Sequence, residues 1–136
     1  MSAGSSKTIR VVAAVIERDG RYLITQRRPS AVLPLRWEFP GGRVEESETD
    51  AEALRREVLH RLGVDIEVGH LISFVSHAYD HYVVDLHLYE CKLVSDDLRP
   101  LAVQTFLWVR SDEFDQYPFT PADEASMSKL LGESDA

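Results

Sequence analysis

Cysteine is almost missing from this chain. Cys91 is the one thiol, so no disulfide can form within it, and its strand-like surroundings read as those of a small buried hydrophobe. Long apolar runs are missing too. No segment approaches the roughly 18 apolar residues of a membrane span, and residues 1–6 are small and polar, without the apolar core of a signal peptide. The expectation is a cytoplasmic protein with no membrane partner. Basic charge is in deficit. Lys and Arg number 15 against 23 Asp and Glu, a formal charge of −8, which argues against a broad grip on DNA or RNA. It does not argue against a small phosphorylated ligand met by a few local arginines. Internal repeats and low-complexity tracts are absent.

What is present is an ordinary globular composition, 44% hydrophobic and 28% charged over 136 residues. That length bounds the chain to about one domain with a core of its own. The expected domain runs over residues 7–132, with 1–6 and 133–136 as flexible termini.

The run 8–17 is rich in β-branched residues and reads as a buried strand. Asp19 and Gly20 signal a hairpin, with 22–26 as the returning strand. Residues 28–36 hold two prolines and read as a loop. A helix is expected over residues 50–62. Thr49 and Glu52 have capping-box spacing, and Gly63 sits where a left-handed C-terminal residue belongs. Helical periodicity puts Ala51, Leu54, Val58 and Leu62 on a core stripe. Ala53, Glu57, His60 and Arg61 fall on a neighbouring face.

Residues 66–76 and 82–94 read as long strands. In the second, Tyr82, Val84, Leu86 and Leu88 alternate with Val83, Asp85, His87 and Tyr89. The polar set is expected to meet something wet, such as a cleft. Residues 103–109 suggest another strand and 111–114 a helical turn. Pro121 is placed to open a closing helix that runs to about residue 131. The order of elements implies an α/β fold, a mixed sheet with helices on its faces.

Gly42, Glu48, Arg56, Glu57, Val58, Gly63 and Val64 hold fixed spacings across a 23-residue frame. Adjacent glycines at 41 and 42 let backbone come close to a ligand. A helix that follows can carry carboxylates on one face, where they bind hard cations through oxygen. This pattern resembles the Nudix box, G-x5-E-x7-R-E-U-x-E-E-x-G-U with U apolar. The preceding Trp37, Glu38, Phe39, Pro40, Gly41 and Gly42 resemble the MutT branch. The resemblance implies an α/β/α Nudix sandwich and a pyrophosphohydrolase. Such an enzyme would cleave a nucleoside triphosphate, an oxidised purine nucleotide for instance, to monophosphate and pyrophosphate with Mg²⁺ or Mn²⁺. It further implies roles for Glu57 and Arg56 in catalysis, for Gly41, Glu48 and Glu57 in metal binding, and for Arg27, Gly42 and Asp123 toward the substrate. A monomer or homodimer is expected.

The sequence departs from the family pattern at the box's last two glutamates, which are His60 and Arg61 here. A further acid that MutT-like members place two residues before a glutamine is Ala102. The change admits three readings. Glu57 and His60, spaced i, i+3, form a ligand pair for a softer ion. Alternatively Arg61 replaces a metal charge and contacts phosphate. In the third, the fold binds nucleotide without hydrolysis. The stretch Phe74 to His77, with His81, also resembles the Nudix-like C-terminal domain of the adenine glycosylase MutY, which binds oxidised guanine and hydrolyses nothing.

Overall fold

The structure, a computed structural model, describes residues 7–130, with side chains to residue 126. The expected end of the closing helix at 131, and both termini expected to be flexible, lie outside the described residues.

Among the described residues, eight strands and two α-helices follow in the order β1 (Lys7–Val15), β2 (Glu17–Arg18), β3 (Arg21–Gln26), β4 (Trp37–Glu38), β5 (Gly41–Arg43), α1 (Asp50–Leu62), β6 (Ile66–Ala78), β7 (Tyr82–Leu93), β8 (Thr105–Val109), a 3-10 segment (Ser111–Gln116) and α2 (Pro121–Leu130). One sheet has the order β5-β1-β7-β6. Its β1 and β7 run parallel and its other pairs antiparallel, so it is mixed. A second sheet joins β2, β3 and β4, with β8 on β3. The tight turn at Asp19 and Gly20 has positive φ at both residues, as a two-residue hairpin requires.

The mixed sheet separates two cores. Val12 and Ala14 of β1, with Ile16 just beyond it, face α1, with Leu54, Val58 and Leu62 against them. Ala13 and Val15 face the other way, toward Phe39, Leu86, Leu88, Phe119 and Ala122 of α2. Strand alternation therefore feeds helices on both faces, an α/β/α sandwich. At about 25 cal/mol per Å² of apolar area buried, such two-sided strands are the main source of stability.

Helix α1 begins and ends as its sequence signals require. Thr49 accepts from the Glu52 N–H, Glu52 returns the bond to the Thr49 N–H, and Gly63 is left-handed at φ 74°. One detail differs from the periodicity. Ala53, expected beside the ionisable residues, is fully buried, whereas Ala51 is half-buried. The helix packs on glycine-rich β5 as well as on β1 and β6, which widens its buried arc beyond the stripe.

The polarity of β7 also has a different outcome from the expected one. Its apolar set, Tyr82, Val84 and Leu86, lines the cavity described below. The polar set lies on the α1 side of the sheet, where Tyr89 OH donates to Asp50 and Asp50 is held by Arg10 at 2.7 and 2.8 Å. Polarity along the strand therefore does not by itself select the face that walls the cavity.

Candidate active site

A cavity of about 460 Å³ opens where β1, β5, β7, the loop after β3 and the start of α2 converge. Its lining combines two kinds of chemistry. Ile9, Val11, Val84 and Leu86 make an apolar wall, joined by Tyr79 and Tyr82. The two tyrosine rings stack with centroids 5.1 Å apart. Tyr79 OH accepts from the Ala122 N–H, which pins that ring to α2. Arg27, Glu38, Arg43 and Arg61 supply the charged part of the lining, beside Gly42.

The charged part of the lining continues through α1 as a chain of alternating sign. Arg56 donates to Glu48 at 2.6 and 2.9 Å and to Glu57 at 2.9 Å. Arg61 Nε donates to the other Glu57 oxygen at 2.9 Å. Arg61 Nη1 lies 4.0 Å from Glu38, whose carboxylate also receives Arg27 Nη1 at 3.3 Å. The Arg56 fork holds the Glu48 carboxyl at a pKa of about 2, helped by the Glu45 N–H. Arg56 itself is held further above the usual guanidinium range, first by its bond to Glu48.

Helix geometry selects which neighbour of Glu57 joins this chain. Successive residues turn about 100°, so an i+3 residue lies ~60° to one side and an i+4 residue ~40° to the other. The cavity lies on the i+4 side. Arg61 therefore reaches it, while His60 is exposed and outside its lining. The i, i+3 pair of Glu57 and His60 is not assembled at the cavity.

Gly42 leaves room for Glu57 to lie against β5. A Cβ there would stand 2.4 Å from Glu57 Cδ and 2.6 Å from Glu57 Oε1, so the glutamate packs directly on the glycine backbone. Gly41 is tighter still, with a Cβ 2.0 Å from the Val12 carbonyl oxygen. The two glycines thus bring β5 against β1 on one side and Glu57 against β5 on the other.

Asp123 lines the cavity and is buried. Its Oδ1 accepts from the Phe39 N–H at 3.1 Å, and its Oδ2 accepts from Thr120 Oγ1 at 2.5 Å. It therefore ties the start of α2 to the strand carrying Glu38. Burial, and then the charge of Glu38, push its pKa up to about 7. Burial likewise raises Glu38 above the usual carboxylate range, against the pull of Arg27 and Arg61.

The carboxylates as arranged do not fit a hard divalent ion held by the chain. Glu48 spends both oxygens on Arg56, and Glu57 spends its two on Arg56 and Arg61. Among the described residues, no group of three or more His, Cys, Asp or Glu side chains is placed to hold a metal. Ala102 has no oxygen to add.

Sequence reasoning did not single out Glu38, Arg43, Tyr79 or Tyr82. Glu38 stood in the quoted run after Trp37, but its burial between Arg27 and Arg61 depends on a strand pairing, Thr25 with Glu38, that no local pattern specifies. Of the histidines weighed, His81 is exposed, and His77 packs edge-on against Tyr79.

The chain matches the family described as NUDIX domain over residues 11–129. It belongs to that family. A CTP pyrophosphohydrolase of Escherichia coli (strain K12) is 36% identical over 117 residues, which cover 86% of this chain and 87% of that protein. An 8-oxo-dGTP diphosphatase of Haemophilus influenzae is 27% identical over 129 residues, 94% of this chain and 95% of that one. Among solved structures, the solution structure of the E. coli ORF135 protein agrees with a TM-score of 0.81 at 32% identity, covering 98% of this chain and 96% of that one. The chain is a Nudix hydrolase of the MutT-like branch, built on the Nudix α/β sandwich.

Proposed function

We propose that this Nudix protein hydrolyses a nucleoside triphosphate to a monophosphate and pyrophosphate. One observation carries the reading. One cavity combines apolar residues and stacked tyrosines, suited to a base, with three arginines, suited to phosphates. The relatives' names span a pyrimidine triphosphate and an oxidised purine triphosphate, so CTP and 8-oxo-dGTP are the first substrates to try.

In this reading the base lies against Tyr79 and Tyr82, within reach of the Asp123 carboxyl. Arg27 and Arg61 face the phosphate chain, and Gly42 lets its backbone approach. Glu57 Oε1 accepts from Arg61 Nε at 2.9 Å and keeps a second lone pair able to take a proton from water. Arg56 keeps hold of the other Glu57 oxygen and so fixes the carboxylate's direction. The water oxygen bonds to phosphorus, the anhydride bond breaks, and pyrophosphate leaves with the bonding electron pair.

The resemblance implies Mg²⁺ or Mn²⁺. The test is therefore phosphate release from CTP, 8-oxo-dGTP, other nucleoside triphosphates, dinucleotides and nucleotide sugars, run with Mg²⁺, Mn²⁺, Zn²⁺ and chelator. Glu57→Gln is expected to abolish turnover with an unchanged circular dichroism spectrum. A variant as active as the wild type would remove Glu57 from the mechanism.

A second reading, nucleotide binding without turnover, is favoured by the Arg61–Glu57 ion pair, which occupies the candidate base. Failure of a folded sample to hydrolyse any compound in the screen, while still binding one, would select it.

A further inference from the structure

We infer that Arg61 is a built-in cation standing where the family pattern has a glutamate, and that the cavity takes a diphosphate group on Arg61 without a divalent ion held by the chain. The inference rests on the nucleotide reading above and names what grips the phosphates.

The first observation is the direction of Arg61. It lines the cavity with its side chain about a quarter exposed (25%). Its Nε is committed to Glu57, and Nη1 is 4.0 Å from Glu38, beyond hydrogen-bond range. Among the described residues neither terminal nitrogen makes a hydrogen bond, so the outer edge of the fork is available to a ligand. A planar fork of N–H donors matches a phosphate in a bidentate manner.

The second is that the departures from the family pattern meet in space. The Arg61 carbonyl accepts from the Leu101 and Ala102 N–H groups at 3.0 and 3.1 Å. The loop whose missing acid is Ala102 is thus docked on the residue that carries the new positive charge. A glutamate at 102 would add a negative charge at this junction. Its replacement by alanine and the presence of Arg61 shift the local charge in the same direction.

The third is electrostatic. A pair of acids at 60 and 61 would attract a divalent cation, which in turn would attract phosphate. An arginine at 61 repels that cation and attracts phosphate directly. Arg61 also sits in the last turn of α1, where the helix dipole favours positive charge and Glu57 one turn back fixes the side chain. The guanidinium is therefore held in place before a ligand arrives, which lowers the entropy cost of binding.

The test is calorimetric titration with inorganic pyrophosphate, and with the α,β-methylene analogue of CTP, in chelator and in Mg²⁺. Wild-type protein is expected to bind both probes equally well in the two media. Arg61→Gln should weaken binding in chelator by about tenfold or more, the size of a lost hydrogen bond to a charged group. Arg61→Lys, which keeps the charge but not the fork, should fall between. The double variant H60E/R61E should bind pyrophosphate only when Mg²⁺ is present. Thermal unfolding of each variant separates a lost contact from a lost fold. Wild-type binding that requires Mg²⁺, or full affinity of folded Arg61→Gln in chelator, would overturn the inference. Binding through Arg61 with no triphosphate hydrolysed would leave it standing and overturn only the hydrolytic reading.

Discussion

Asp123 shows how one carboxyl serves the fold and the cavity together. It is buried, accepts from the Phe39 N–H and Thr120 Oγ1, and has a pKa raised from 3.8 to about 7 by burial and by Glu38. A carboxyl whose folded pKa is raised binds its proton more tightly in the folded state. Its contribution to stability is complete below about pH 4 and is lost as the pH rises through about 7. Asp123→Asn is isosteric and does not titrate. Urea unfolding across pH 4 to 8 should therefore show the wild type losing stability relative to the variant as the pH rises. Parallel curves would mean that Asp123 titrates alike in the folded and unfolded states. Glu48 behaves in the opposite sense, since Arg56 holds it at about 2 and its ion pair persists well below neutral pH. The sequence showed that Asp123 stands at the start of a helix. It could not show the Phe39 N–H, 84 positions away, that gives the carboxyl its place.

At the scale of elements, α1 and β5 form one unit. The helix start was legible because capping is local: Thr49 and Glu52 satisfy each other's N–H groups within one turn. Thr49→Ala should cost about 1 kcal/mol in urea unfolding, the usual worth of such a cap. A cost near zero would show that solvent satisfies the freed N–H equally well. The glycine pair acts across elements. Gly42→Ala would place a methyl 2.6 Å from Glu57 Oε1, and the flexible glutamate would give way before the backbone did. The expected outcome is a large loss of turnover with little loss of stability, read from kinetics and thermal unfolding on one sample. Full activity would mean that Glu57 need not lie against β5. The fate of His60 is also decided here. The one-residue difference between i+3 and i+4 sends it outward and Arg61 to the cavity.

For the molecule as a whole, the mixed sheet with a core on each face governs stability. Leu54, fully buried against β1, is a fair probe: Leu54→Ala should cost about 2–5 kcal/mol, depending on how far the cavity left behind collapses. A cost below 1 kcal/mol would mean that α1 shifts to fill the space. Ligand binding should act in the other direction, raising the melting temperature by mass action. By itself the sequence determined the α/β order of elements, the limits of α1, the hairpin at Asp19 and the membership of a Nudix pattern with altered acids. Those features are written in short-range periodicity, caps and fixed spacings, which a linear chain displays. Tertiary structure alone decided which face of β7 walls the cavity, that Glu38 sits between Arg27 and Arg61, and that Ala102 docks on Arg61. Each of these depends on strand pairing or loop docking between distant segments, and the energy that selects it comes from burial and charge neutralisation that exist only once the chain has folded.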